Sequence, residues 1–112
     1  MAIYMTLLRY TPEGMKAALA AGMTSRKAMH DTVISAAGGT TLGYYLVGDA
    51  DWDVASLVEY PETLTNANAA RLMAGFKAGG AIEAMRVFLL TTPEEFDAAS
   101  PVAEQTYRPP TG

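Results

Sequence analysis

From Ala2 to Tyr10 nearly every side chain is apolar or aromatic, on both alternating faces. That is the pattern of a strand covered on two sides. Thr11-Pro12-Glu13 then supplies an N-cap, a proline preset for the first helical position and an acid near the positive end of a helix. The apolar track Met15, Ala18, Leu19, Gly22, Met23 follows at helical spacing and continues through Met29, Val33, Ala36 and Ala37 to a Gly38-Gly39 stop. Gly22, followed by Thr24-Ser25, predicts a kink or a restart along the way. The stretch Gly43 to Pro61 reads as two aromatic and β-branched strands joined by a turn over Gly48 to Asp51. It holds the only Trp and three of the six Tyr, and this hairpin is expected at the centre of a sheet. A helix carrying Leu64, Ala69, Leu72, Met73 and Phe76 runs to Gly79-Gly80, and Ile82 to Thr91 forms a fourth strand. Thr92-Pro93-Glu94-Glu95 is a capping box that opens a short helix with Phe96. Residues 1–99 thus form one domain, and 100–112 a polar, Pro-containing tail, frayed or laid as an extended arm on a neighbouring subunit.

An internal echo supports the topology. Leu7-Leu8-Arg9-Tyr10-Thr11-Pro12-Glu13 resembles Leu57-Val58-Glu59-Tyr60-Pro61-Glu62 at an offset of about 50 residues. The repeat superposes two β-α-β halves, so the element order β-α-β-β-α-β predicts an α+β fold, a ferredoxin-like sandwich with a four-stranded antiparallel sheet. Helices cover only one face of such a sheet, yet these strands are apolar on both. Trp52, Val54, Val58 and Tyr60 are assigned to one face, Ala55 and Leu57 to the other. A second copy packed on the bare face, as in a dimeric α/β barrel, resolves the conflict, so self-association into a homodimer or higher homo-oligomer is expected.

Composition narrows the function classes. Apolar residues are 50% of the chain and charged ones 18%, and the net charge is −4 with the eight basic residues scattered from Arg9 to Arg108. No nucleic-acid or membrane partner is expected from such a distribution. There is no cysteine, which removes disulfides, thiolate metal ligands and thiol catalysis. Met1-Ala2-Ile3-Tyr4 does not open a signal peptide and no apolar run reaches membrane-span length, so a cytoplasmic location is expected.

Candidate chemistry is sparse. His30 is the only imidazole, and Met23, Arg26, His30, Val33 and Ala37 recur at helical spacing. His30 can therefore point between helix and sheet as a general acid/base, with Arg26 one turn away to hold an anionic substrate or enolate. The bland alternative is a boundary histidine bonded to Asp31, Thr32 or solvent. One His without Cys leaves no ligand set for zinc or copper. Axial haem ligation needs one imidazole, yet no cofactor is expected. Asp49, Asp51 and Asp53 resemble the opening of a calcium loop, but Val54 stands where Gly belongs and Tyr60 where a bidentate Glu belongs. They are read as turn formers, with Asp53 at the strand start the one placed to meet Arg26 or a neighbour's backbone; no metal site is expected. Tyr44, Tyr45, Trp52 and Tyr60 either pack the sheet and dimer core or line a cavity for a small planar metabolite, with Tyr44, Trp52, Asp53 and Tyr60 as its binding residues. The glycine pairs end helices rather than open them, which leaves no phosphate loop.

The order of these motifs carries a resemblance. Thr11-Pro12-Glu13-Gly14 after the first strand, Arg26 in the first helix, a Gly-Gly stop and Asp53-Val54-Ala55-Ser56-Leu57-Val58-Glu59-Tyr60-Pro61 after a Gly/Asp turn resemble the GYD domain family of small bacterial proteins. The turn carries two extra residues, and Trp52 stands where that family has Tyr. The resemblance implies the ferredoxin-like, dimeric α/β-barrel superfamily, whose relatives include cofactor-free monooxygenases, haem-degrading enzymes, stress-induced barrels and regulatory ligand-binding modules. Three functions follow as expectations: binding of a small planar metabolite between sheet and helices, cofactor-independent monooxygenase or isomerase chemistry with His30 as base, and a structural or assembly role without a ligand.

Overall fold

The computed structural model describes residues 1–111. Its elements are β1 (Ala2–Tyr10), α1 (Pro12–Ala21), α2 (Met23–Ala36), β2 (Thr40–Leu46), β3 (Val54–Tyr60), α3 (Asn66–Ala78), β4 (Ile82–Leu90), α4 (Pro93–Ala98) and α5 (Val102–Thr106). The strands form one four-stranded antiparallel sheet in the order β2-β3-β1-β4. This is the α+β, ferredoxin-like arrangement that the element order implied. The hairpin is not central as a unit, however. β3 lies inside the sheet with β1, but β2 is an edge strand, because β1 takes the position between β3 and β4.

Alternation along the strands sorts the faces. Ala2, Tyr4, Leu8 and Tyr10 of β1 and Val54, Ser56, Val58 and Tyr60 of β3 are buried beneath the helices. Burying a side chain such as Val58 completely contributes about 1.5–3 kcal/mol. Two clusters result, one around Tyr4, Ile34, Val58 and Tyr60, the other around Leu8, Tyr10, Ala18 and Val54. The register sets Met5 beside Leu57 and Phe88 on the opposite face, with Ile3 beside Leu90. Among the described residues no helix covers that row. Trp52 departs from the face expected of it: it precedes the strand and lies 5.7 Å from the guanidinium carbon of Arg9, a residue of the bare face.

The expected restart falls at Gly22, whose φ of 91° favours glycine. It ends α1 and turns the chain into α2, which begins at once. Gly14 is glycine for a different reason. Its Cα packs on the backbone of Ala81, and an added Cβ would collide with the Ala81 carbonyl and lie 2.8 Å from its Cα. Thr11 closes the same junction: its N–H donates to the Ala81 carbonyl at 2.9 Å, and its hydroxyl to that of Gly80 at 3.0 Å. The second half of the repeat lacks a Thr before its Pro61, so α3 waits for the N-cap Thr65, whose hydroxyl accepts from Asn68 N–H.

The chain beyond β4 stands apart. The capping box forms as expected, with the Thr92 and Glu95 side chains each accepting from the other's backbone N–H at 3.1 Å. Past it the tail is not wholly irregular. Ala103, Glu104 and Gln105 are good helix formers behind Pro101, and they build α5; the tail's last residue, Gly112, lies outside the described residues. Every residue from Thr91 to Thr111 is exposed. The radius of gyration is 17.4 Å, against about 13 Å for a compact domain of ~100 residues. The arm accounts for the excess.

Candidate functional site

α2 and α3 lie side by side on the sheet without closing the seam between them. α3 buries none of its residues completely, and its Gly75 and Gly79 face the seam with no side chain. The result is an open cleft of about 240 Å³. Arg26, Met29, His30 and Val33 border it from α2, Phe76 from α3, and Tyr10 and Tyr44 from the sheet. A smaller cavity of about 40 Å³ lies deeper, among Tyr4, Ile34, Val58, Tyr60, Leu72 and Met85. Its walls are apolar and it has room for few waters. Leu8, His30 and Phe76 border both spaces and so form the partition between them.

His30 is 5% exposed. Its ring lies edge-on to Tyr44, centroids 5.0 Å apart, and 6.1 Å from that of Phe76. Nδ1 lies 3.3 Å from Oδ1 of Asp31 and 3.4 Å from the Thr41 hydroxyl. Asp31 is itself held by Lys27, whose ammonium donates to Oδ2 at 2.7 Å one helical turn away. That ammonium is the main reason the Asp31 carboxyl is lowered to about 2. A carboxylate beside Nδ1 favours the Nδ1–H tautomer, which leaves Nε2 as an acceptor. Nε2 has no hydrogen-bond partner among the described residues and, unlike the Ser56 and Tyr60 hydroxyls, is not sealed from contact. Burial lowers the His30 pKa, against the raising influence of Asp31, so the ring is neutral at pH 7.

Arg26 forms no ion pair among the described residues, and no carboxylate borders the cleft. Its charge reaches Tyr44, whose phenol is raised by burial first and by the Tyr10 hydroxyl second. Burial also raises the Tyr60 phenol, with Tyr4 adding to it.

The fold therefore brings Arg26, His30 and Tyr44 together at the cleft. Tyr60 borders only the inner cavity, edge-on to Tyr4 with centroids 5.9 Å apart. Trp52 and Asp53 border neither space. The Asp53 carboxylate instead accepts from the backbone N–H of Tyr10, while Asp49 accepts from the N–H groups of Asp51 and Trp52 within the β2–β3 loop. Sequence reasoning missed Tyr10, Phe76, Gly75 and Gly79 as cleft residues. Gly75 carried a readable signal, since a glycine inside an Ala-rich helix is costly there, whereas Gly79 stands at the helix end.

Comparison with known proteins joins this geometry to a family. The GYD domain matches residues 4–100. The chain belongs to the GYD domain family. The C-terminal domain of the MgtC protein from Mycobacterium tuberculosis, in its solution structure, is similar in fold, with a TM-score of 0.56 at 17% identity over 80% of this chain and 88% of that one. At that identity the likeness concerns fold alone. No functionally curated protein matches the sequence. Among the described residues no helix of this GYD domain is long and apolar enough to cross a membrane.

Proposed function

We propose that this GYD domain is a small-molecule-binding protein that acts as a homodimer and holds a planar metabolite in the cleft between α2 and α3. The observation that carries the reading is the cleft itself: about 240 Å³ of open space bordered by both Arg26 and His30. Each presents a polar group that has no hydrogen-bond partner among the described residues. Apolar walls with a few convergent polar groups are the usual composition of a ligand site. The homodimer rests on the bare sheet face, where Ile3, Met5, Leu57, Phe88 and Leu90 form an apolar row that a second copy would cover. The exposed C-terminal arm, with Phe96, Val102 and Tyr107 at 60–69% exposure, offers further apolar surface to that copy.

Native mass spectrometry of freshly purified protein tests both parts. The expected spectrum is a dimer carrying one small organic molecule per chain, released on denaturation. A ligand-free monomer at high concentration would end the proposal.

One observation favours a second reading, cofactor-independent catalysis. Asp31 favours the His30 tautomer that leaves Nε2 to take a proton, and Arg26, one turn away, would steady the oxyanion formed. The two readings part on His30→Ala: a binder loses affinity in proportion to the lost contact, whereas an enzyme keeps its ligand and loses turnover.

A further inference from the structure

The cleft is chemically one-sided, and its glycines explain what it excludes. Gly75 sits inside α3, where glycine costs about 1 kcal/mol relative to alanine. No packing demand accounts for it: a Cβ at Gly75, or at Gly79 one turn later, would meet nothing within 4 Å, and neither has a positive φ. What their missing side chains leave is a flat strip of helix backbone along one wall. The rings of His30, Tyr44 and Phe76 also border the cleft. A space bounded by flat surfaces suits a flat body. At about 240 Å³, below the roughly 300 Å³ at which drug-sized pockets begin, it takes a single substituted ring and not a nucleotide.

The charge narrows the head group. Among the described residues Arg26 is the one cation on the wall, and no carboxylate borders it there. An arginine fork pairs two oxygens of a planar acid. The part of α3 that borders the cleft is its C-terminal half, whose carbonyl end carries partial negative charge. One positive fork beside a partial negative charge matches a monoanion better than a phosphate dianion.

We propose that the cleft binds a small aryl carboxylate, the acid group on the Arg26 guanidinium and the ring laid along the backbone strip at Gly75 and Gly79. This deepens the binding function above and rests on it. Benzoate and 3-phenylpropionate, each paired with its carboxamide, are titrated into the full chain by calorimetry, with Arg26→Met and Gly75→Leu alongside. The acids are expected to bind at least tenfold more tightly than the amides. Arg26→Met erases that preference. Gly75→Leu gains helix propensity and its Cβ meets nothing within 4 Å, so the variant is expected to fold, yet to bind neither series. Amides that bind as tightly as acids, or a preference that survives Arg26→Met, overturn the carboxylate assignment and leave a neutral-ligand site standing. Failure of both series, with a co-purified molecule present in the native spectrum, overturns the aryl carboxylate class alone. Failure of both with no such molecule ends the binding function too.

Discussion

The carboxylate of Asp53 accepts a hydrogen bond from the backbone N–H of Tyr10 at 2.9 Å. The Asp53 N–H in turn donates to the Leu8 carbonyl at 2.8 Å, and the Asp53 carbonyl accepts from Val47 N–H. One residue thus ties the β2–β3 loop to the end of β1, beside the tyrosine that borders the cleft. Asp53→Ala leaves the part-buried Tyr10 N–H without its acceptor and is expected to cost about 1–3 kcal/mol. Asp53→Asn keeps an acceptor and should cost less. Urea unfolding of the three proteins checks the order.

Two glycine substitutions should act in opposite directions. Gly14→Ala pushes a Cβ into the Ala81 backbone, where overpacking costs typically about 1–3 kcal/mol and no flexible side chain can yield. Gly75→Ala adds a Cβ in open space within a helix, so a gain of about 0.5–1 kcal/mol is expected. Thermal unfolding midpoints should fall for the first and rise for the second.

His30 gives stability a pH dependence of defined sign. Burial lowers its folded pKa from 6.5, so as pH falls through 6.5 the unfolded chain takes up a proton that the folded chain refuses. Stability is therefore full above 6.5 and declines below it until the folded pKa is passed. Asp31, lowered to about 2, remains ionised throughout that window. Between pH 6.5 and 5 the parent protein should lose stability, while His30→Phe, which keeps a ring against Tyr44 and Phe76, should not. Unfolding midpoints at half-unit pH steps decide it, and parallel slopes for the two proteins would contradict the assignment.

The bare sheet face is the proposed dimer surface, and Leu57 lies within it, beside Met5. Leu57→Glu would place a charge where the partner's sheet must dry the surface, at a cost of several kcal/mol. Sedimentation should report a dimer for the parent chain and a monomer for the variant. The helix-facing core does not contain Leu57, so the monomer should stay folded.

Strand alternation, the N-cap at Thr11, the capping box at Thr92 and the break at Gly22 are local properties, set by side-chain period, hydrogen-bonding reach and glycine's allowed φ. The sequence by itself therefore determined the elements from β1 to α4, their order and the ferredoxin-like architecture, though not α5. It also determined that Arg26 and His30 share one helix face, because residues four apart always do. The placement of Trp52 was not local, since a residue two positions ahead of a strand is released from its alternation; Arg9, distant in the chain, draws it to the bare face. Asp53 was legible as a loop acid, but its partner at Tyr10 depends on β1 inserting beside β3. Only the tertiary structure decided that α2 and α3 leave a seam, because whether two helices close depends on the summed volumes of side chains contributed from every layer. There Gly75 and Gly79 contribute none, and the space they leave is where Arg26 and His30 open.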